Sequence, residues 1–321
     1  MTTESPFLAA LAARQVVLTE GSLVERLRRD PCFGLHPEVA HTPLLYTVAG
    51  RKALVALWSR YVEVALAQDL PIAVCTPTWR ASPERLQRAG LPGVERVSRD
   101  AVALLDTVRA AAGVHAPRVF LGALLGCRGD AYRPGDALDA ASAEQFHRPQ
   151  AEALAAAGPD FLLAATLPAC TEAMGIARAL AATGRPYALS FVLRPSGTLL
   201  DGTPLQDAVA RIDDAAVSRP AFYLGGCVHP VHFERALAVA VAARPGLEER
   251  VIGVQGNASR LSPEELEGST RLDADEPEAF AAAVEAVRRR FGTRILGGCC
   301  GTDERHIAAV AARLTASRGR P

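Results

Sequence analysis

Lysine occurs once in this chain, at Lys52, and Trp, Tyr and Phe together supply only 5% of it. The missing lysine, beside abundant arginine, points to a GC-rich coding sequence and bears on no reaction. Scarce rings leave few candidates for any wall that must hold a cation. Net charge is also missing: the 35 basic and 35 acidic residues cancel and interleave, which removes the electrostatic footprint of a nucleic-acid or anionic-membrane binder. No apolar run approaches the roughly 20 residues a membrane helix needs. No G-x-G-x-x-G opens a helix after the first candidate strand, so no dinucleotide cradle is read there. No Pro/Ser-rich linker divides the chain, and Glu4 stands where a signal peptide would be basic. With 49% hydrophobic and 22% charged residues, the expectation is a soluble, cytoplasmic, globular protein with a large core that recognises a small molecule.

Short apolar runs without polar alternation recur at 16–21, 71–76, 118–126, 161–166, 187–193, 221–227, 251–258 and 294–300. Each is followed by a stretch of helical period, and several of those close on Gly. Such runs suit parallel strands buried on both faces, and eight strand–helix units in order predict a single-domain (β/α)8 barrel over residues 1–321. An open doubly wound sheet has similar local patterns, and the count is what separates the two. The segment LRPSGTLLDGTPL reads as a loop over the barrel mouth.

Seven cysteines are scattered through the chain: Cys32, Cys75, Cys127, Cys170, Cys227, Cys299 and Cys300. Without a secretion signal they read as free or metal-bound thiols. Cys299 and Cys300 are adjacent, which strains any disulfide between them. In a barrel the catalytic groups gather at the C-terminal strand ends, and alternate strands share a layer. Cys227 is expected to end the sixth strand and the pair to end the eighth, so three thiols can meet at one rim. Three thiolates around an open fourth position are a donor set for catalytic Zn2+. Gly225, Gly226, Gly297, Gly298 and Gly301 allow close backbone bends there, and Thr302 and Asp303 can cap the next helix. No C-x-x-C pair is present, and spacing alone leaves open that these are buried cysteines packing as small hydrophobes. The other four cysteines, without a partner in register, are assigned to packing.

The motif GGCCGT before a helix, with GGCVHP ending a strand about seventy residues earlier, resembles the cysteine motifs of the homocysteine S-methyltransferase family. That family includes betaine-homocysteine and S-methylmethionine-dependent enzymes and the homocysteine module of cobalamin-dependent methionine synthase. The segments VVLTEGSLVERL, FHRPQAEALAAAGPDFLLAATLPACTEAMGIARAL and SFVLRPSGTLLDGTPL resemble its opening, middle and fifth-strand motifs in the same order. The resemblance implies a barrel, one Zn2+ per chain on Cys227, Cys299 and Cys300, and methyl transfer from a sulfonium or ammonium donor to a zinc-bound thiol, by default homocysteine giving methionine. Zinc binding removes the thiol proton, and the thiolate is the nucleophile. Expected substrate contacts are Glu20 and Gly21 in the opening motif, Trp79 in CTPTWRAS, Thr166 at the end of strand four and Ser190 at the rim of strand five.

The chain departs from the family pattern at Glu20, where Asp is usual, at Ala165 and Thr166, where strand four usually ends in a Glu for the homocysteine amino group, and at Gly226, where Asn is usual. Glu20, one methylene longer, is expected to take over, or else a different thiol or selenol is the acceptor. A non-catalytic zinc- or thiol-binding barrel is a third reading, opposed by the intact cysteines. Besides Trp79, Tyr46 and Phe191 are candidates for a ring that holds the donor, with packing as the alternative. Asp201, Gln255 and Asn257 are further rim candidates, although Asp201-Gly202 is equally a turn. His36, His41, His229 and His306 have no partner in register with the cysteines and are expected to be surface or packing residues. Self-association is left open.

Overall fold

The computed structural model describes residues 5–262, 265 and 272–316. Eight strands, β1 (Val17–Thr19), β2 (Ile72–Cys75), β3 (Val119–Gly126), β4 (Phe161–Leu167), β5 (Tyr187–Val192), β6 (Phe222–Val228), β7 (Val251–Gly256) and β8 (Ile295–Gly298), pair in chain order and close as a barrel. All pairings are parallel, including β8 to β1. The helices are α1 (Pro6–Ala12), α2 (Val24–Arg29), α3 (Val48–Ala67), α4 (Pro83–Arg88), α5 (Val94–Ala111), α6 (Ala140–Ala156), α7 (Cys170–Ala181), α8 (Leu205–Ala215), α9 (Pro230–Ala243), α10 (Pro277–Phe291) and α11 (Glu304–Ala316). This is the (β/α)8 barrel expected from the strand count. Of the expected 1–321 span, residues 1–4, 263–264, 266–271 and 317–321 lie outside the described residues.

Period 2 along each strand divides the apolar side chains into two layers. Leu18, Val74, Leu121, Leu162, Leu189, Val254 and Leu296 join the layer under the helices, while Ala73, Phe120, Phe161, Phe222, Leu224, Ile252 and Ile295 fill the barrel interior. The N-terminal lead-in is the plug of that interior. Pro6 starts α1, and Phe7 stacks on Phe161 at 4.2 Å between centroids and meets Phe120 and Phe222 edge-on at 5.3 and 5.9 Å. These rings stand at the start or first turn of their strands, so the barrel is sealed at its N-terminal end and any cavity must lie at the other.

Two bulges shape that other end. The register slips in β4 between Ala164 and Leu167 and in β6 between Gly226 and Val228. Thr166 and Cys227 are the displaced residues, with φ of +60° and +50°. A β-bulge leaves one residue unpaired and re-aims its side chain, and a β-branched threonine with positive φ is strained unless its surroundings hold it. β8 stops at Gly298, so Cys299 and Cys300 lie in the turn after the strand rather than at its end. The loop after β5 folds over the mouth through bridges Leu193–Leu199 and Thr198–Pro204, and Leu200 packs with Val192 and Cys227. No helix among the described residues is long and apolar enough to cross a membrane.

Candidate metal centre and its cavity

The sulfurs of Cys227, Cys299 and Cys300 lie within 4.8 Å of one another, and the Cys227 and Cys299 sulfurs are 3.1 Å apart. Sulfurs at 2.3 Å from a tetrahedral zinc stand about 3.8 Å from each other, inside that range. Backbone bonds set the turn that carries the pair: Cys299 N–H donates to the Gly256 carbonyl at 2.7 Å, and Ala258 N–H donates to the Cys300 carbonyl at 2.9 Å. The Thr302 hydroxyl donates to the Cys299 carbonyl at 2.7 Å, so Thr302 braces the turn, and Asp303 caps α11 by accepting from Arg305 N–H at 3.0 Å. Gly298 is required here, because a Cβ at that position would overlap Thr302 Oγ1.

All three thiols are held above the ordinary thiol range. For Cys299 the bond with Cys227 is the largest cause, followed upward by burial. In Cys227 and Cys300 the bonds within the triad pull both ways, with the Cys299 bond lowering Cys227 and the Cys227 bond lowering Cys300. Burial and the crowding of like anions carry both upward. Three acids sharing one buried site suppress one another's ionisation, and a cation among them reverses this. Soft donors at this spacing fit a thiophilic divalent metal.

The thiols open into a cavity of about 280 Å³. Glu20 is buried at the end of β1, and both its carboxylate oxygens accept from Cys75 N–H, at 3.0 and 3.1 Å. Burial pushes its carboxyl well above the usual range, outweighing that backbone bond. Trp79 forms part of the wall and donates its indole N–H to Thr166 Oγ1 at 2.8 Å. Arg80 places its guanidinium 5.3 Å from the Trp79 ring centre. Tyr132, on the connection after β3, lines the cavity beside the three sulfurs. The Cys227 sulfur, burial and the other two sulfurs push its phenol upward.

Residues 17–314, nearly the whole barrel with its cysteine turns, match the family model described as homocysteine S-methyltransferase. The chain belongs to the homocysteine S-methyltransferase family. It is 34% identical over 173 residues to the homocysteine S-methyltransferase of Escherichia coli, covering 53% of each chain. It is 29% identical over 185 residues to the homocysteine S-methyltransferase YbgG of Bacillus subtilis, covering 57% of this chain and 56% of that one. The chain thus spans about half the length of the curated relatives it matches. In fold it is similar to the crystal structures of the homocysteine methyltransferase MmuM from E. coli. The oxidised form has TM-score 0.75 and 24% identity, over 97% of this chain and 100% of that one. The metallated form has TM-score 0.73 and 24% identity, over 96% and 99%.

In this homocysteine S-methyltransferase family member the cavity gathers Glu20, Gly21, Trp79, Thr166 and Ser190 with the three cysteines, and Gln255 joins them. Other expected contacts fall elsewhere. Tyr46 donates its hydroxyl to Asp100 at 3.1 Å, and Phe191 is fully buried in a stack with Tyr223 at 5.8 Å. Asp201 accepts from the N–H groups of Cys170 and Thr203, at 2.7 and 2.9 Å, and so performs the turn role. Asn257 is buried but does not line the cavity. His36 accepts from Glu38 N–H at 3.2 Å, while His229 and His306 are buried behind the cysteine turns. His41 departs from a purely surface or packing reading: it is buried, lines the cavity, and burial lowers its pKa to about 4. Tyr132, Glu25 and Arg28 also line the cavity unforeseen. The apolar runs used to find strands carry no signal for residues on the loops over a barrel mouth.

Proposed function

We propose that this chain moves a methyl group from a sulfonium or quaternary ammonium donor to a thiol, homocysteine giving methionine, at one Zn2+ held by Cys227, Cys299 and Cys300. The observation that carries this reading is the convergence of three sulfurs within 4.8 Å, in a cavity that also holds a buried carboxylate, Glu20, with no cationic partner among the described residues. A zinc ion held by the three cysteines would supply Lewis acidity, lowering the pKa of the acceptor thiol so that its proton leaves to solvent and its sulfur stays nucleophilic. Among the described residues the Glu20 carboxylate accepts only from Cys75 N–H, so its charged form is costly until an ammonium arrives, and the acceptor's amino group supplies one. The sulfur then displaces the donor in line: an S–C bond forms to the methyl carbon, and the bond from carbon to the cationic sulfur or nitrogen breaks. Its electron pair stays on the departing donor, which leaves neutral at that atom. Positioning is the main contribution the chain makes to this step. Trp79, braced by Thr166, offers its ring face to the donor's cation, and Tyr132 shields the sulfurs from bulk water.

A second reading, transfer to another thiol or selenol, is favoured by the end of β4. Ala165 and Thr166 line the cavity there, and its only carboxylates among the described residues are Glu20 and Glu25. The test supplies zinc-loaded protein with homocysteine and either S-methylmethionine or betaine and measures methionine. Methionine formation, lost in Cys299→Ser, is expected. A protein that methylates other thiols in preference replaces homocysteine as acceptor, and one that methylates none overturns the reading.

A further inference from the structure

Behind the thiols, two buried histidines converge on one aspartate. His229, two residues after Cys227, caps α9 by accepting from Val231 N–H on Nδ1 at 3.2 Å. That bond leaves the proton on Nε2, which donates to Asp275 Oδ2 at 3.2 Å. His306, near the start of α11 and six residues after Cys300, holds Nδ1 2.9 Å from the Asp303 carboxylate and 3.2 Å from the Asp303 amide nitrogen, and its Nε2 lies 3.1 Å from the Asp275 carbonyl oxygen. Both side chains are almost wholly shut off from solvent. Asp275 N–H completes the hub by donating to the Ala258 carbonyl at 2.8 Å, and Ala258 N–H in turn holds the Cys300 carbonyl. Asn257 N–H donates to the Val228 carbonyl at 3.1 Å. Arg260 pairs with the outer side of the Asp275 carboxylate, at 2.8 Å from Nη2.

The geometry points to Asp275, with His229 and His306, as a positioning clamp that fixes the Cys227 turn against the Cys299–Cys300 turn. The cysteine ligands come from strands that are not neighbours, with β7 between them. Their separation is therefore set by whatever spans the ends of β6, β7 and β8, and Asp275 bonds to groups from all three. Its carboxylate meets the residue after β6, its amide the second residue after β7, and its carbonyl the helix after β8. A bulge at Cys227 makes such a clamp necessary, since the bulged strand end has lost part of its ladder to β7. Partners one layer behind the ligands tune how tightly a metal is held.

This inference rests on the three cysteines being metal ligands, and the test separates the two. Wild type, Asp275→Ala and Asp275→Asn are loaded with Co2+, and two quantities are read: the sulfur-to-cobalt charge-transfer band and the rate of metal release to a chromophoric chelator. Asp275→Ala is expected to release cobalt about ten- to a hundredfold faster with an altered band. Asp275→Asn keeps a carbonyl oxygen for His229 Nε2–H and stays close to wild type. His229→Asn keeps an oxygen for Val231 N–H but loses the reach to Asp275, and it decides the matter if Asp275→Ala does not fold. A purely structural role would lower the melting temperature of the metal-free variants and leave band and release rate unchanged, and that result overturns the clamp. Wild type that takes up no cobalt overturns the metal reading instead.

Discussion

Trp79 donates its indole N–H to the Thr166 hydroxyl at 2.8 Å, tying the loop after β2 to the bulge in β4. Thr166→Val keeps the shape and removes the acceptor, at a cost of about 1 kcal/mol in stability. With the ring freed, KM for the methyl donor is expected to rise more than KM for the acceptor. Steady-state kinetics with each substrate varied in turn checks this, and equal changes in both would remove Trp79 from the donor's wall.

Glu20 links stability to pH. Its carboxyl is raised by burial, so its contribution to folding is fully present below the unfolded carboxyl value of about 4.3 and is lost as pH rises through the folded value. At neutral pH the metal- and substrate-free protein therefore carries a burden that Glu20→Gln relieves. The variant should melt higher than wild type at pH 7 to 8, with the difference closing near pH 4. Its KM for an amine-bearing acceptor should rise about tenfold or more, because a buried ion pair has lost its anion. Wild type melting higher at neutral pH, with KM unchanged in the variant, contradicts both roles.

Ser190 and Gly226 face each other across β5 and β6 so closely that a Cβ at Gly226 would overlap Ser190 Oγ. Gly226→Ala should cost about 1 to 3 kcal/mol through overpacking. Ser190 Oγ is buried without a hydrogen-bond partner among the described residues, so Ser190→Ala removes the obstacle without orphaning another group. The double variant should recover most of the loss in urea denaturation, a coupling that independent sites would not show.

Tyr132 lines the cavity mouth beside the sulfurs. In the metal-free protein, Tyr132→Ala should let iodoacetamide alkylate Cys227 faster than wild type does, while Tyr132→Phe keeps the covering ring. Mass spectrometry of the modified peptide reads the order, and equal rates in all three would mean that the ring shields nothing.

The barrel was legible because each parallel strand is buried on both faces and so shows as an apolar run. The triad was legible because alternate strands share a layer, which places Cys227 beside Cys299 and Cys300. The bulges were not legible: one extra residue at Thr166 or Cys227 changes neither composition nor period. Nor was the role of Phe7, since a short apolar helix gives no sign that it will plug the barrel it precedes. Tyr132 escaped for a tertiary reason. Its loop is held by Arg85 on the Arg128 carbonyl at 2.8 Å and by Arg128 N–H on Glu172 at 2.6 Å, bonds between segments far apart in the chain. The role of the histidines behind the thiols is not legible either, because their shared partner, Asp275, lies 46 residues beyond His229.

The central claim is that Cys227, Cys299 and Cys300 hold a metal, and metal content measures it most directly. Protein purified without chelator and analysed by atomic emission should carry close to one zinc per chain, and Cys299→Ser purified alongside should have lost most of it. Freshly purified, reduced wild type that contains no zinc and takes none up would contradict the account and return the three thiols to the packing of the barrel mouth.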